Sequence, residues 1–186
     1  MLVTLWLAAA AAAPPVLGAM TTFSKLESDL QCSACRHLAK GIRTWMQRKA
    51  RTWKKMSEAE KGKWVAKSMK KACRVPEQVA TVERNGRKVF ADFTQLMSEG
   101  GSHSGLSLSS EIKDQLKNAC EELAVEYKDD VVIGYTSVKK PAKYKVEDDL
   151  CIELTSACGV PNPGEWMPPD TDEIDATLSK WMKEEL

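Results

Sequence analysis

Cys32-Ser33-Ala34-Cys35 near the start, and Asp149-Leu150-Cys151-Ile152-Glu153-Leu154-Thr155-Ser156-Ala157-Cys158 near the end, hold four of the six cysteines. Cys73 and Cys120 stand singly between them. A close pair at each end around two isolated cysteines reads as two ends stapled together over a cross-linked middle. An even count behind a secretory leader is a disulfide framework rather than a set of working thiols. Six cysteines allow fifteen pairings, and the spacing alone does not choose among them.

Outward from these pairs, both termini bear on the compartment. Leu2 to Leu17 is almost wholly apolar, with the run Ala8 to Ala13, then Pro14-Pro15, then small residues at Gly18 and Ala19. Residues 1–19 are read as a secretory signal peptide, too short and too alanine-rich for a comfortable membrane span. Its first region has no Lys or Arg and relies on the α-amino group. The last four residues, Lys183-Glu184-Glu185-Leu186, lie one methylene from a K-D-E-L retrieval signal. Leader and tail together predict a soluble protein of the endoplasmic reticulum lumen, held there by a retrieval receptor. No other segment approaches ~18 consecutive apolar residues.

Without the leader, roughly 165 residues remain, enough for one domain with a modest core. A formal net charge of +1 conceals an asymmetry. Arg36 to Arg74 holds fourteen Lys and Arg against Glu58 and Glu60, whereas Lys145 to the end holds eleven Asp and Glu against three lysines. Either the two blocks face each other or are separately solvated, or the basic block is a surface for an acidic client, a glycan or anionic headgroups.

The first helix is expected from Ser28 or Asp29, both competent N-caps, with Cys32, Cys35, Leu38, Ile42, Trp45 and Met46 on one face. Ser57-Glu58-Ala59-Glu60 is a capping box opening a second helix that runs to about Cys73 with Val65, Met69 and Cys73 inward; Pro76 opposes its continuation. The period then changes. Val79 to Glu83 and Lys88 to Phe93 flank Asn85-Gly86, the signature of a type I′ hairpin. Gly100 to Gly105 reads as a polar loop with His103 solvated. The longest helix is predicted from Ser109 or Ser110 to about Gly134, carrying Ile112, Leu116, Cys120, Leu123, Tyr127 and Val131 as its stripe. Val146, Leu150, Cys151, Leu154 and Cys158 define a last core helix ended by Gly159 and Pro161. Residues 159–182 follow as a linker and an acidic amphipathic segment with Ile174, Leu178 and Trp181. There is no internal repeat.

The segments Cys32-Ser-Ala-Cys35-Arg36, Leu116-Lys-Asn-Ala-Cys120-Glu-Glu-Leu-Ala-Val-Glu126-Tyr127 and Asp149-Leu150-Cys151-Ile-Glu-Leu-Thr155-Ser-Ala-Cys158 resemble the canopy family of endoplasmic-reticulum saposin-like proteins. The resemblance covers roughly Leu30 to Cys158 and the C-terminal tetrapeptide; it is faint between Arg43 and Ser68. It implies an all-α, saposin-like, disulfide-linked domain over residues 28–158 with a small β-hairpin insertion. It also implies nested pairing: Cys32–Cys158, Cys35–Cys151 and Cys73–Cys120. At 1.5 Å per residue the first pair is about 4.5 Å apart on its helix and the last about 10.5 Å, so two ideal helices cannot make both bonds. The mismatch disappears if Cys158 sits at a helix terminus.

Three functions compete. The resemblance implies a non-enzymatic accessory chaperone or maturation factor for secretory or receptor clients. Trp45, Trp53 and Trp64, with Met46, Met56 and Met69, would line its client groove, and Trp53 among its lysines is the most exposed candidate. Saposin-like domains also embrace lipid, so contact with a membrane surface is the second reading. A thiol oxidoreductase using Cys32 and Cys35 is the third. Only about a dozen residues separate the leader from Cys32, too few for a thioredoxin-like βαβ scaffold. No cofactor is expected. Cys32/Cys35 with Cys151/Cys158 is too widely spaced for a zinc ribbon, and the two histidines, His37 and His103, lack catalytic company. His37 is expected to face solvent beside Arg36. Nucleic acid is excluded by compartment, and Asn85, Asn118 and Asn162 lack an N-glycosylation context.

Overall fold

The structure is a computed structural model that describes residues 22–159. The leader, residues 160–182 and Lys183 to Leu186 lie outside the described residues. A single helical turn, α1 (Thr22–Lys25), precedes α2 (Ser28–Gln47). On α2, Leu30, Ala34, Cys35, Leu38, Ala39, Ile42 and Met46 are buried, recurring at steps of three and four that keep one stripe against the core. Its flanking residue is Glu27, with no side-chain cap. Asp29, a competent cap by type, does something else: its carboxylate accepts the Lys88 N–H at 3.3 Å, and Ser33 Oγ accepts the Phe90 N–H at 2.9 Å.

A short 3₁₀ turn, Trp53–Lys55, reverses the chain into α3 (Glu58–Ala72). The capping box closes as its sequence requires. Ser57 Oγ accepts the Glu60 N–H at 3.3 Å, and Glu60 Oε2 accepts the Ser57 N–H at 2.8 Å. Val65, Ser68, Met69 and Ala72 face inward. The helices α2 and α3 cross so closely at Gly41 that a Cβ there would stand 2.6 Å from the Ala72 carbonyl oxygen.

The hairpin is β1 (Val79–Arg84) and β2 (Arg87–Asp92), antiparallel with Val82 opposite Val89. Asn85 and Gly86 take φ of 52° and 72°, the left-handed pair that a type I′ turn needs. Two further elements were not legible as pattern. Asp92 ends the strand by capping α4 (Phe93–Glu99), accepting the Thr94 N–H at 2.9 Å. Then β3 (Ser107–Leu108) pairs with β1, placing Ala80 opposite Leu108, so the sheet has three strands in the order β2-β1-β3. With β1 central, Val79 to Val82 are all buried. Asp29 and Ser33 of α2 satisfy the outer edge of β2, which would otherwise invite another strand.

The long helix expected from Ser109 to Gly134 is instead two. After the Ser109 cap, α5 (Ser110–Glu126) runs to Tyr127, where φ −98° and ψ 18° bend the chain into α6 (Lys128–Ser137). Hydrogen bonds continue through the bend, from Tyr127 N–H to Leu123 O at 3.0 Å and from Val131 N–H to Tyr127 O at 3.1 Å. The bend turns Val131 and Tyr135 into the core beside α3.

The last core helix also differs from expectation. After a 3₁₀ turn at Pro141–Lys143, α7 (Val146–Asp148) passes into a π-helical turn, Asp149–Leu154, closed by Thr155 N–H to Leu150 O at 3.1 Å. Cys158 lies past the helix end. Ser156 takes φ 53°, and the Cys158 N–H returns to the Cys151 carbonyl at 2.9 Å. That reversal removes the spacing mismatch. Cys32 joins Cys158 with Cα atoms 4.5 Å apart, Cys35 joins Cys151 at 5.7 Å, and Cys73 joins Cys120 at 5.5 Å. The fold is thus mostly helical, with three disulfides and a small antiparallel sheet.

Candidate functional site

Where α2 and α3 run antiparallel, Trp45 and Trp64 come to the surface together, both half-buried. They line a shallow hollow of about 50 Å³ with Lys67, Ser68 and Lys71. Buried Ser68 forms part of this wall and donates to the Trp64 carbonyl at 2.9 Å. Cations lie over both indoles. The Arg48 guanidinium is 4.1 Å and the Lys71 ammonium 4.5 Å from the Trp45 ring centre, and the Lys49 ammonium is 4.8 Å from that of Trp64. Such contacts contribute about 0.5–1 kcal/mol each at exposed sites. None of Arg48, Lys49, Lys67 and Lys71 has a carboxylate within salt-bridge distance among the described residues. The indole N–H of Trp64 is buried with no acceptor among them either. The strip is rich in cations and donors and poor in acceptors.

Sequence reasoning placed Trp45 and Trp64 in a groove and found the lysine run, but not which cations would sit over which rings. The signals were there in part: Trp45 and Arg48 are three apart on a helix, hence neighbours, whereas Trp45 with Lys71 and Trp64 with Lys49 are tertiary pairs. Trp53 is a correction. Its side chain is 0% exposed, its Nε1–H donates to the Val138 carbonyl at 3.3 Å, and its ring meets Tyr135 edge-on at 6.5 Å. Met46 and Met69 are equally buried, and Met56 is half-buried against the same core, so no methionine-lined groove opens here.

Both histidines also depart from expectation. His37 is half-buried, and its Nε2 lies 3.1 Å from the Arg74 carbonyl; a carbonyl only accepts, so Nε2 carries the proton. Burial depresses its pKa below the ordinary 6.5, and Lys40 pushes the same way against the Arg74 hydrogen bond. His103 is half-buried rather than solvated, with Nε2 3.2 Å from the Leu96 carbonyl, which ties the glycine-rich loop back to α4.

The sulfurs of Cys32 and Cys35 are each bonded to a distant partner, and no cysteine is free. Disulfides across this span suit an oxidising, secreted or lumenal compartment. Among the described residues no group of three or more His, Cys, Asp and Glu is placed to hold a metal ion, and no helix is long and apolar enough to cross a membrane. The large exposed apolar side chains among them, Met97, Leu106, Leu108, Val125 and Ile133, belong to other elements than α2 and α3. Comparison of the chain with protein-family models, with curated proteins and with solved structures finds no match.

Proposed function

We propose that this chain is a saposin-like, canopy-type helper of the endoplasmic reticulum lumen, non-enzymatic, that binds secretory or receptor clients during their maturation. The observation that carries the reading is the surface strip of Trp45, Trp64, Arg48, Lys49, Lys67 and Lys71 on a scaffold closed by three disulfides. A helper in an oxidising compartment needs a rigid body, prolonged residence and a binding face that does no chemistry. The disulfides support the first requirement, and Lys183 to Leu186, as a retrieval signal, support the second. Half-buried indoles ringed by cations support the third, because they offer apolar area and charge together.

The lipid-surface reading draws on the same cations. It is the weaker one, since a face that enters a membrane needs apolar side chains to insert, and the exposed ones lie elsewhere. The test is crosslinking in the lumen of living cells with the native chain and with the Trp45→Ala/Trp64→Ala double variant. Immature secretory proteins are expected in the first and depleted in the second, with the disulfide pattern unchanged. Recovery of only the retrieval receptor, or equal recovery from both, overturns the reading. Flotation with anionic liposomes that requires Trp45 and Trp64 would replace it by the lipid one.

A further inference from the structure

The cations of the α2–α3 strip, which lack carboxylate partners among the described residues, have a complement in the same chain. Glu165, Asp170, Asp172, Glu173 and Asp175 carry five carboxylates, and no Lys or Arg occurs from Val160 to Ser179. Trp166, Met167 and Ile174 lie among them. We propose that the acidic segment Glu165 to Asp175 docks intramolecularly on the strip formed by Trp45, Arg48, Lys49, Trp64, Lys67 and Lys71.

Three observations and one general consideration carry this. Among the described residues the strip has cations without carboxylates and an indole N–H without an acceptor, and a segment bearing five carboxylates supplies what is lacking there. The shallow hollow lined by the two indoles is walled mainly by apolar surface, and the acidic segment intersperses apolar residues among its carboxylates. The geometry of attachment also permits it. Cys158 is bonded to Cys32 near the start of α2, and Trp45 lies thirteen residues further along that helix, about 20 Å away at 1.5 Å per residue. The twelve residues from Cys158 to Asp170 reach about 40 Å when extended, so the segment spans the distance with slack. Finally, tethering converts the contact to an intramolecular one at millimolar effective concentration, so a weak electrostatic complement suffices. A free acidic peptide, or the segment of a second copy, must compete against that concentration. The inference concerns what covers the strip in the isolated protein and holds with or without a client.

The experiment uses the purified mature chain at low ionic strength, with a carbodiimide that joins amines and carboxylates in direct contact, followed by peptide mapping. Crosslinks from Lys49, Lys67 or Lys71 to Asp170, Asp172, Glu173 or Asp175 are expected, in equal yield across a dilution series and lost at high salt. Lys67→Glu/Lys71→Glu, both at exposed positions, should abolish those left to Lys49, and adding Asp172→Lys/Glu173→Lys should restore contact with the joining chemistry reversed. Yield that falls with dilution assigns the strip to a second copy and overturns the proposal. Absence of these crosslinks at low salt, or indifference to the charge reversals, overturns it equally. Because no client is present, failure here leaves the maturation reading standing, and failure of that reading leaves this one.

Discussion

Trp53 and Trp45 are both tryptophans within a lysine-rich stretch, yet one is in the core and the other at the surface. The difference lies in the backbone. Trp45 sits on a long helix whose inner stripe is taken by Ile42 and Met46, so it falls at the stripe's margin. Trp53 sits in a one-turn reversal, where no periodicity indicates direction, and the turn aims it between α3 and Tyr135. His37 illustrates the same limit: adjacent to Arg36 on a helix, it looks solvated until Arg74 closes over it. It also gives a measurable pH effect. Its folded pKa is below the ordinary 6.5, so as pH falls through that value the unfolded chain takes up a proton that the folded chain resists. The unfolded state then binds more protons, and stability declines toward acid. His37→Gln keeps a donor for the Arg74 carbonyl and removes the titration. Chemical denaturation at neutral pH and at mildly acidic pH should show a smaller acid-side loss in the variant than in the native chain; identical losses would mean His37 is protonated as easily folded as unfolded.

At the scale of elements, the meeting of α2 and α3 sets the site. It rests on Gly41, whose missing Cβ lets the backbone of Ala72 approach, and this brings Lys71 over Trp45. Gly41→Ala would place a methyl group against backbone rather than against a side chain that can move. The expected cost is about 1–3 kcal/mol, the range for overpacking a tight interior. Gly62→Ala on α3 is the control, because its Cβ would meet Val132 at 3.4 Å and the helix gains up to about 1 kcal/mol of propensity. Urea unfolding of the two variants should therefore move in opposite directions, or leave Gly62→Ala unchanged while Gly41→Ala falls. The break at Tyr127 and the π-helical turn at Asp149–Leu154 belong to this scale too. In both, the apolar spacing on either side is compatible with a continuous helix; past the bend Tyr135 is buried, and within the π-helical turn Cys151 is bonded to Cys35.

For the whole molecule, the disulfides are unequal in what they constrain. In the chain-entropy model Cys73–Cys120, closing 47 residues, contributes about 4 kcal/mol. Cys32–Cys158 and Cys35–Cys151 are nested, with separations of 126 and 116. Once either has formed, the other closes a loop of only about ten residues and adds about 3 kcal/mol; losing both costs about 8 kcal/mol. Removing one nested bridge by Cys→Ser pairs should thus be tolerated better than removing Cys73–Cys120, whereas removing both should unfold a domain of ordinary stability. Denaturation midpoints of the three double variants and the quadruple variant test this. Additive losses from the two nested bridges would show that they do not share one constraint.

The local sequence determined a good deal. The Ser57 capping box, the Asn85-Gly86 turn and the buried stripes of α2, α3 and α5 are each written within a few residues, because hydrogen bonds and dihedral limits act at that range. Tertiary structure decided the rest. A two-residue strand such as β3 has too few positions to show alternation and exists only because β1 offers it an edge. The pairing of Trp45 with Lys71 and Trp64 with Lys49 depends on how two helices cross, which Gly41 permits but no single-helix pattern encodes. Periodicity says which side of an element faces inward; only packing says what that element faces, and the candidate site lies where two elements meet.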